Sequence, residues 1–509
     1  MKKISYYLWL GLFIWAIAIV SEAHGKMKSR LIVKRKNPAR GIMREAFRVT
    51  SKEVHQFNSE KELKEAKENF KLDAGVEWVV EDKVMSHFFE PGDDGTEEDQ
   101  LWFLQWHYHD QVAGINLPAA WDITFGEEVV VAVVDTGITS HVDLNSKILA
   151  GADLVSDPFM GNDGDGRDND PSDPGDWISS GDPCFNGQTI DSSWHGTHVA
   201  GTIAAKTGNA FGVAGVSFGA KVVPVRVLGK CGGWASDIAD GIKWAAGVPV
   251  SGVAPNANPA RVINLSLGGR GSCSAMMQEA VDAANAAGAV VVVASGNSNQ
   301  NIDFIHYSPA NCKGVITVAS TDENMDKSFF SNYGEFIDIS APGGGEVGVM
   351  STHNDGTRGP GNSDYIQMKG TSMAAPHVAG VAALMVGVNP ALSPAQIRQA
   401  IVDSAASFSA SSSCDDSICG SGLLDAEAAV MMAQSMEADP DFVFDEPALS
   451  ATSEPVTITW FNGQDEETGG ACGTVDLQNG GGGGPFNLSL LLGLLMALLI
   501  PNIRVNKAW

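Results

Sequence analysis

Residues 370–380 read Gly370-Thr371-Ser372-Met373-Ala374-Ala375-Pro376-His377-Val378-Ala379-Gly380. Glycine at the start permits a turn, and small residues follow wherever backbones would approach closely. The stretch therefore reads as a turn opening into a helix, with one hydroxyl, Ser372, at the corner. A serine hydroxyl is a poor nucleophile on its own. Used as one, it requires a general base, a group that orients the base, and donors for an oxyanion. Two other stretches offer the first two. Ser193-Trp194-His195-Gly196-Thr197-His198-Val199-Ala200-Gly201 is a second glycine-rich entry into a small-residue helix, and it offers His195 as the base. The apolar run Val129–Val134 reads as a strand ending at Asp135, with Thr136-Gly137 after it. Buried there, a carboxylate would fix the imidazole tautomer and stabilise the imidazolium.

Taken singly, each stretch has a plain structural use: an Asp after a strand caps a helix, a lone His packs, and Gly-Thr-Ser makes a turn. Together, and in the chain order Asp135, His195, Ser372, they resemble the motifs of the subtilisin-like serine proteases, over about residues 100–430. The resemblance implies a secreted serine endopeptidase that works through an acyl-enzyme on Ser372. His195 would be the general base and acid, and Asp135 would orient it. Asn297, in Ala294-Ser295-Gly296-Asn297, would supply one oxyanion donor, and the Ser372 backbone N–H the other. Ser266-Leu267-Gly268 and Ala294-Ser295-Gly296 match the walls of the pocket for the residue before the scissile bond. Gly232-Gly233-Trp234 matches the edge that pairs with extended substrate backbone. Those walls carry no charge, so apolar or aromatic residues are expected before the cut. The rival reading is a non-catalytic surface or binding protein on the same scaffold. Such proteins lose a triad residue or the oxyanion Asn, and here all four are present.

The chain has 509 residues and a formal net charge of −28. About 15 Lys/Arg stand against 11 acidic residues in 26–90, so the negative excess lies beyond them. An acidic enzyme repels nucleic acid, and no such partner is expected. Over residues 99–432, apolar strands (129–134, 221–227, 262–267, 289–294, 314–319) alternate with helical stretches (238–246, 275–287, the run after Ser372, 394–404). That alternation predicts an α/β fold: a mainly parallel sheet with helices on both faces.

Residues 1–23, with Lys2-Lys3, an apolar run and Ser21-Glu22-Ala23, have the form of a secretory signal peptide. Residues 24–98 read as a small α/β unit, with strands at 30–33 and 76–80 and a helix at 59–71. Its position resembles the propeptide of secreted subtilisins, an intramolecular chaperone and inhibitor removed from the zymogen. Residues 433–479 form an acidic stalk. The Gly run 480–484, the short apolar stretch 486–500 and a sparse basic tail resemble a GlyGly-type sorting signal over 480–509, with a short transmembrane segment that a sorting protease removes. The expected product is an extracellular monomer, attached at most transiently to membrane or surface through its C-terminus.

Asn162–Asp173 packs Asp163, Asp165, Asp168, Asp170 and Asp173 into one glycine-containing loop. Such a density repels itself unless neutralised, and hard oxygen ligands suit structural Ca²⁺. The resemblance adds Asp143 as a calcium ligand. Export places the seven cysteines in an oxidising compartment. Neighbourhood groups Cys184 with Cys231, Cys273 with Cys312, and Cys414 with Cys419. Six cysteines nevertheless allow 15 pairings, and Cys472 is left over.

Overall fold

The computed structural model describes residues 29–35, 52–57, 60–73, 75–82, 99–182, 184, 187–444 and 457–460. The expected signal peptide, the apolar stretch 486–500, the Gly run and Cys472 lie outside these residues. The chain divides into two units, 1–87 and 88–509.

In the first unit, β1 (Ser29–Arg35), β2 (Lys52–Phe57) and β3 (Val76–Asp82) form an antiparallel sheet in the order β2-β1-β3. Helix α1 (Glu60–Leu72) packs on all three strands. Its alternating Glu and Lys leave an ion pair between Lys71 and Glu68 at 2.6 Å on the outer face. The strand β2 was not foreseen, because its polar sequence KEVHQF lacks an apolar run.

The second unit is built on seven parallel strands: β4 (Val130–Asp135), β5 (Ala152–Asp153), β6 (Lys221–Arg226), β8 (Val262–Leu265), β10 (Val290–Ala294), β12 (Val315–Thr321) and β13 (Ile339–Pro342). Their order is β13-β12-β10-β8-β4-β6-β5. Short strands β7 (Gly233–Trp234), β9 (Leu267–Arg270) and β11 (Tyr307–Ser308) lie outside this sheet. An antiparallel hairpin joins β14 (Val349–Asn354) to β15 (Ser363–Met368). The last strand is β16 (Thr457–Trp460). The helices are α2 (Trp106–His109), α3 (Leu117–Trp121), α4 (Pro158–Gly161), α5 (His195–Ala204), α6 (Ala235–Ala245), α7 (Ala275–Ala286), α8 (Thr371–Val388), α9 (Pro394–Asp403) and α10 (Ala426–Ser435).

Strand side chains alternate between faces, so a strand buried on both reads as an unbroken apolar run. In β4, Val131 and Val133 face the larger core with α5 and α8, whereas Ala132 and Val134 face a second core with α6 and α7. The same alternation divides β10: Val290 and Val292 from Val291 and Val293. The expected α/β class is therefore observed, with helices covering both faces. Helix α8 runs through the larger core, buried from Thr371 to Val386. It is long and apolar enough to cross a membrane, and its burial explains the composition.

A cluster of neutral imidazoles sits under α8. His377 Nδ1 bonds Met373 O at 2.8 Å, and its Nε2 meets His107 Nδ1 at 2.7 Å. His377 Nδ1–H thus donates, its Nε2 accepts from His107, and His107 Nε2 remains without a partner among the described residues. Burial lowers both imidazoles, His377 from 6.5 to about 4 and His107 further by its neighbour His377. Depressed histidines contribute stability that is complete above the unfolded value, near 6.5, and lost as pH falls through the folded one. Urea unfolding should therefore show stability falling between about pH 6.5 and 4. The slope should approach ~1.4 kcal/mol per pH unit for each imidazole charged, and a His107→Gln/His377→Gln variant should show a shallower fall.

Candidate active site

Asp135 ends β4 and His195 begins α5, and both are fully buried. His195 Nδ1 lies 2.8 Å from Asp135 Oδ1 and 3.0 Å from Oδ2. Asp135 Oδ1 also accepts from Thr136 N at 2.7 Å. This fit depends on two glycines. A Cβ on Gly196 would stand 2.3 Å from the Gly137 carbonyl oxygen, so only glycine lets α5 start against the Asp135 turn. Gly137 itself has φ +101°, and a Cβ there would lie 2.5 Å from Pro171 O.

Groups whose part in it was not foreseen surround this contact, among them Asp173, which was expected as a calcium ligand. Thr136 Oγ1 accepts from Gly196 N at 3.1 Å and donates to Asp173 Oδ2 at 2.8 Å. Asp176 accepts from Ser193 N at 2.7 Å and Ser193 Oγ at 2.8 Å, and Ser193 Oγ accepts from His195 N at 3.3 Å. Burial, and then Asp176, push Asp173 up to about 7. No local sequence signal marks these partners. The other histidines of the two motifs are occupied elsewhere. His198 Nε2 meets Ile366 O at 3.1 Å, and burial drives its pKa down to about 3.

Ser372 is the second residue of α8, so its N–H belongs to the first turn, whose donors find no acceptor in their own helix. Ser372 Oγ donates to Ser266 O at 3.2 Å, while Ser266 Oγ donates to Ser372 O at 2.7 Å. Helices α5 and α8 pack against each other, and each carries its motif residue in its first turn. Asn297 Oδ1 accepts from Thr371 N at 2.9 Å and Thr371 Oγ1 at 2.8 Å. That turns its amide N–H₂ the other way, where Nδ2 is buried without a partner among the described residues.

The residues matched to the substrate walls occupy short strands and turns around Ser372. Ser266 links β8 to β9, and Leu267 and Gly268 begin β9. Ala294 ends β10, Ser295 Oγ donates to Asn332 O at 3.4 Å, and Gly296 N donates to Thr371 Oγ1 at 3.1 Å. Gly232 turns with φ +99°, and Gly233 and Trp234 form β7, with Trp234 38% exposed. Disulfides join Cys184 to Cys231, Cys273 to Cys312, and Cys414 to Cys419.

The six carboxylates expected to hold calcium do not converge. No group of three or more potential ligands forms among the described residues. Asp143 accepts from Asn209 Nδ2 at 3.0 Å, Val213 N at 3.2 Å and Tyr365 OH at 2.8 Å. Asp168 and Asp170 accept from Asp170 N and Ser172 N, at 2.8 and 3.0 Å. Asp165 is exposed, and Asp173 is buried behind Thr136. Asp163 pairs with Arg226, which also pairs with Asp153 and donates to Gly161 O. Burial pushes Asp153 up to about 7 against the pull of Arg226. Burial would raise Asp163 too, but Arg226 outweighs it and holds that carboxyl below its usual range. The loop's repulsion is answered by a guanidinium and by backbone N–H groups.

A family model described as "Subtilase family" matches residues 126–423. The chain belongs to the subtilase family. It is 49% identical over 362 residues to an extracellular protease of Xanthomonas campestris, covering 71% of this chain and 60% of that protein. An extracellular basic protease of Dichelobacter nodosus is 42% identical, with 74% and 62% covered. The chain thus spans about 60% of the length of these two relatives. Subtilisin Savinase of Lederbergia lenta is 40% identical, with 62% of this chain and 97% of that protein covered. A solved protease structure from Pseudoalteromonas arctica is 51% identical and superposes with a TM-score of 0.64, covering 66% of this chain and 99% of that one.

Arg226 gives the site's outer wall a direct test. Removing one partner of a buried ion pair leaves the other charge uncompensated, at a cost of about 3–5 kcal/mol. Arg226→Met should therefore lower stability by roughly that amount at pH 8. The loss should shrink towards pH 5, where Asp153 takes up a proton. Denaturant unfolding at the two pH values measures both effects.

Proposed function

We propose that the chain is a secreted serine endopeptidase made as a zymogen. The observation that carries the reading is the buried contact between His195 Nδ1 and Asp135. A carboxylate on Nδ1 holds the proton there, which leaves Nε2 as the nitrogen that takes a proton from Ser372. Ser372 Oγ then attacks the peptide carbonyl carbon. The developing oxyanion takes hydrogen bonds from the Ser372 N–H, at the positive end of α8, and from Asn297 Nδ2. His195 passes the proton to the leaving nitrogen as the C–N bond breaks, and water then hydrolyses the ester by the same route. The placement of Asn297 supports its part in this step: its Oδ1 is taken up by Thr371, and its Nδ2 is left without a partner among the described residues.

The extracellular names of the two relatives support export. Residues 24–98 are read as the propeptide and 480–509 as the sorting segment. Structural calcium stays part of this reading on the strength of the family; the acidic loop and Asp143 are its candidate ligands, although no group of three or more such side chains gathers among the described residues, and no chemical step is routed through the ion.

Hydrolysis of casein and of peptide anilides, blocked irreversibly by fluorophosphonates, is the expected activity. Ser372→Ala should lower kcat by several orders of magnitude; near-normal turnover in that variant would refute the mechanism. Asn297→Ala should cost about 10²–10³ in kcat with KM little changed, as expected for a donor acting in the transition state. Steady-state kinetics on a peptide anilide separates the two constants.

A further inference from the structure

Strand β16 lies within a four-stranded sheet of order β11-β9-β16-β7. It is antiparallel to both neighbours. Thr457 stands opposite Trp234 and Ile458 opposite Gly233, while Thr459 stands opposite Gly268 and Trp460 opposite Leu267. Those partners are Gly233-Trp234, matched above to the edge that pairs with extended substrate backbone, and Leu267-Gly268, matched above to a wall of the pocket for the residue before the cut, so the chain's own C-terminal region occupies the place where a peptide would add as a strand. A strand between two edges satisfies its backbone N–H and C=O groups on both sides, which neither edge could provide alone.

The direction of the strand carries chemical information. It enters beside β7 and runs to Leu267, the neighbour of Ser266, whose carbonyl accepts from Ser372 Oγ at 3.2 Å. An acyl donor in this cleft must run the same way, with its C-terminal end toward the nucleophile. Glu437 and Asp439 bond Gln396 of α9, and Arg398 lies over the Phe444 ring; residues 445–456 then lead to β16, a reach of roughly 40 Å when extended. In sequence Trp460 is followed by Phe461, two aromatic residues of the class expected before the cut from the uncharged pocket walls.

We infer that Thr457–Trp460 is a built-in substrate, which fills the acyl side of the cleft in cis and is cut at the first or second bond after Trp460. This rests on the endopeptidase reading. In the step, Ser372 Oγ bonds to the carbonyl carbon of Trp460 or Phe461, and the amide C–N bond breaks. His195 moves the hydroxyl proton to the leaving nitrogen, and water converts the ester to a carboxylate, restoring Ser372. Until the cut, the strand excludes other peptides; afterwards everything downstream of the new terminus departs, including residues 480–509.

The test uses the full chain, with hydrolysis of a peptide anilide as an independent assay. Intact mass should show the active enzyme ending at Trp460 or Phe461, and the Ser372→Ala chain continuing beyond them. Self-cutting should be first order and independent of enzyme concentration. The synthetic peptide Glu454–Gln464 provides a second arm that does not depend on folding of a variant. The enzyme should cut it after Trp460 or Phe461, and its Thr459→Pro version, which loses a ladder N–H, at least tenfold more slowly. An enzyme active on the anilide that retains residues beyond 461 would overturn the inference while leaving the endopeptidase reading intact. So would the same terminus in Ser372→Ala, or equal cutting of the two peptides. Failure on the anilide itself removes the endopeptidase reading, and the inference with it.

Discussion

The contact between Asp135 and His195 is made where no water reaches either group. A carboxylate and an imidazole in that position are costly unless every polar atom has a partner, and a partly satisfied network is worse than an apolar one. Much of the local architecture serves this requirement. Strand β4 is paired on both sides by β6 and β8, which holds the end of the strand in place. The Thr136 N–H takes one Asp135 oxygen, and Thr136 Oγ1 ties the turn both to Gly196 and to Asp173. Ser193, held by Asp176, caps the backbone of His195 from the other side. The imidazole is thus held by its ring, by its main chain and by the helix that it begins, so its orientation is set before any substrate arrives.

Much of this was legible because it is written in local runs. Unbroken apolar runs in β4 and β10 mark strands buried on both faces, and Gly196 and Gly137 mark a helix and a turn whose backbones nearly touch. The less legible elements lack such marks. The hairpin β14–β15, with sequences VMSTHN and SDYIQM, pairs polar residues across a two-stranded ladder and has no apolar run. Strand β13, Ile339-Ser-Ala-Pro342, is too short for periodicity to show, and its place at the sheet edge comes only from its pairing with β12.

The acidic loop shows charge partners that a local reading does not see. Read alone, 163–173 calls for a cation, since five carboxylates have no counter-charge within the loop except Arg167. In the fold Arg167 leaves them and pairs with Asp237 at 2.6 Å and Asp240 at 2.8 Å on α6. The charge that answers Asp163 comes instead from Arg226, at the end of β6, which the parallel register sets beside Asp135 and Asp153. A guanidinium on a neighbouring strand is invisible to spacing along the chain. It also ties the loop to the strand beside β4.

A cleft between two strand edges carries a liability of its own. Two short edges, β7 and β9, face each other with backbone groups that no parallel strand satisfies, and edges of this kind pair with any extended segment that reaches them. A tail on the same chain arrives first, because tethering raises its effective concentration towards about millimolar, well above that of most external peptides. Backbone pairing also explains why so undistinguished a sequence as Thr-Ile-Thr-Trp suffices: the ladder reads main chain, and the side chains have only to be compatible with extended structure, as β-branched and aromatic residues are. Pairing through main chain admits any extended segment, the chain's own C-terminal region included. The nucleophile turns that occupancy from permanent blockage into a step that ends itself.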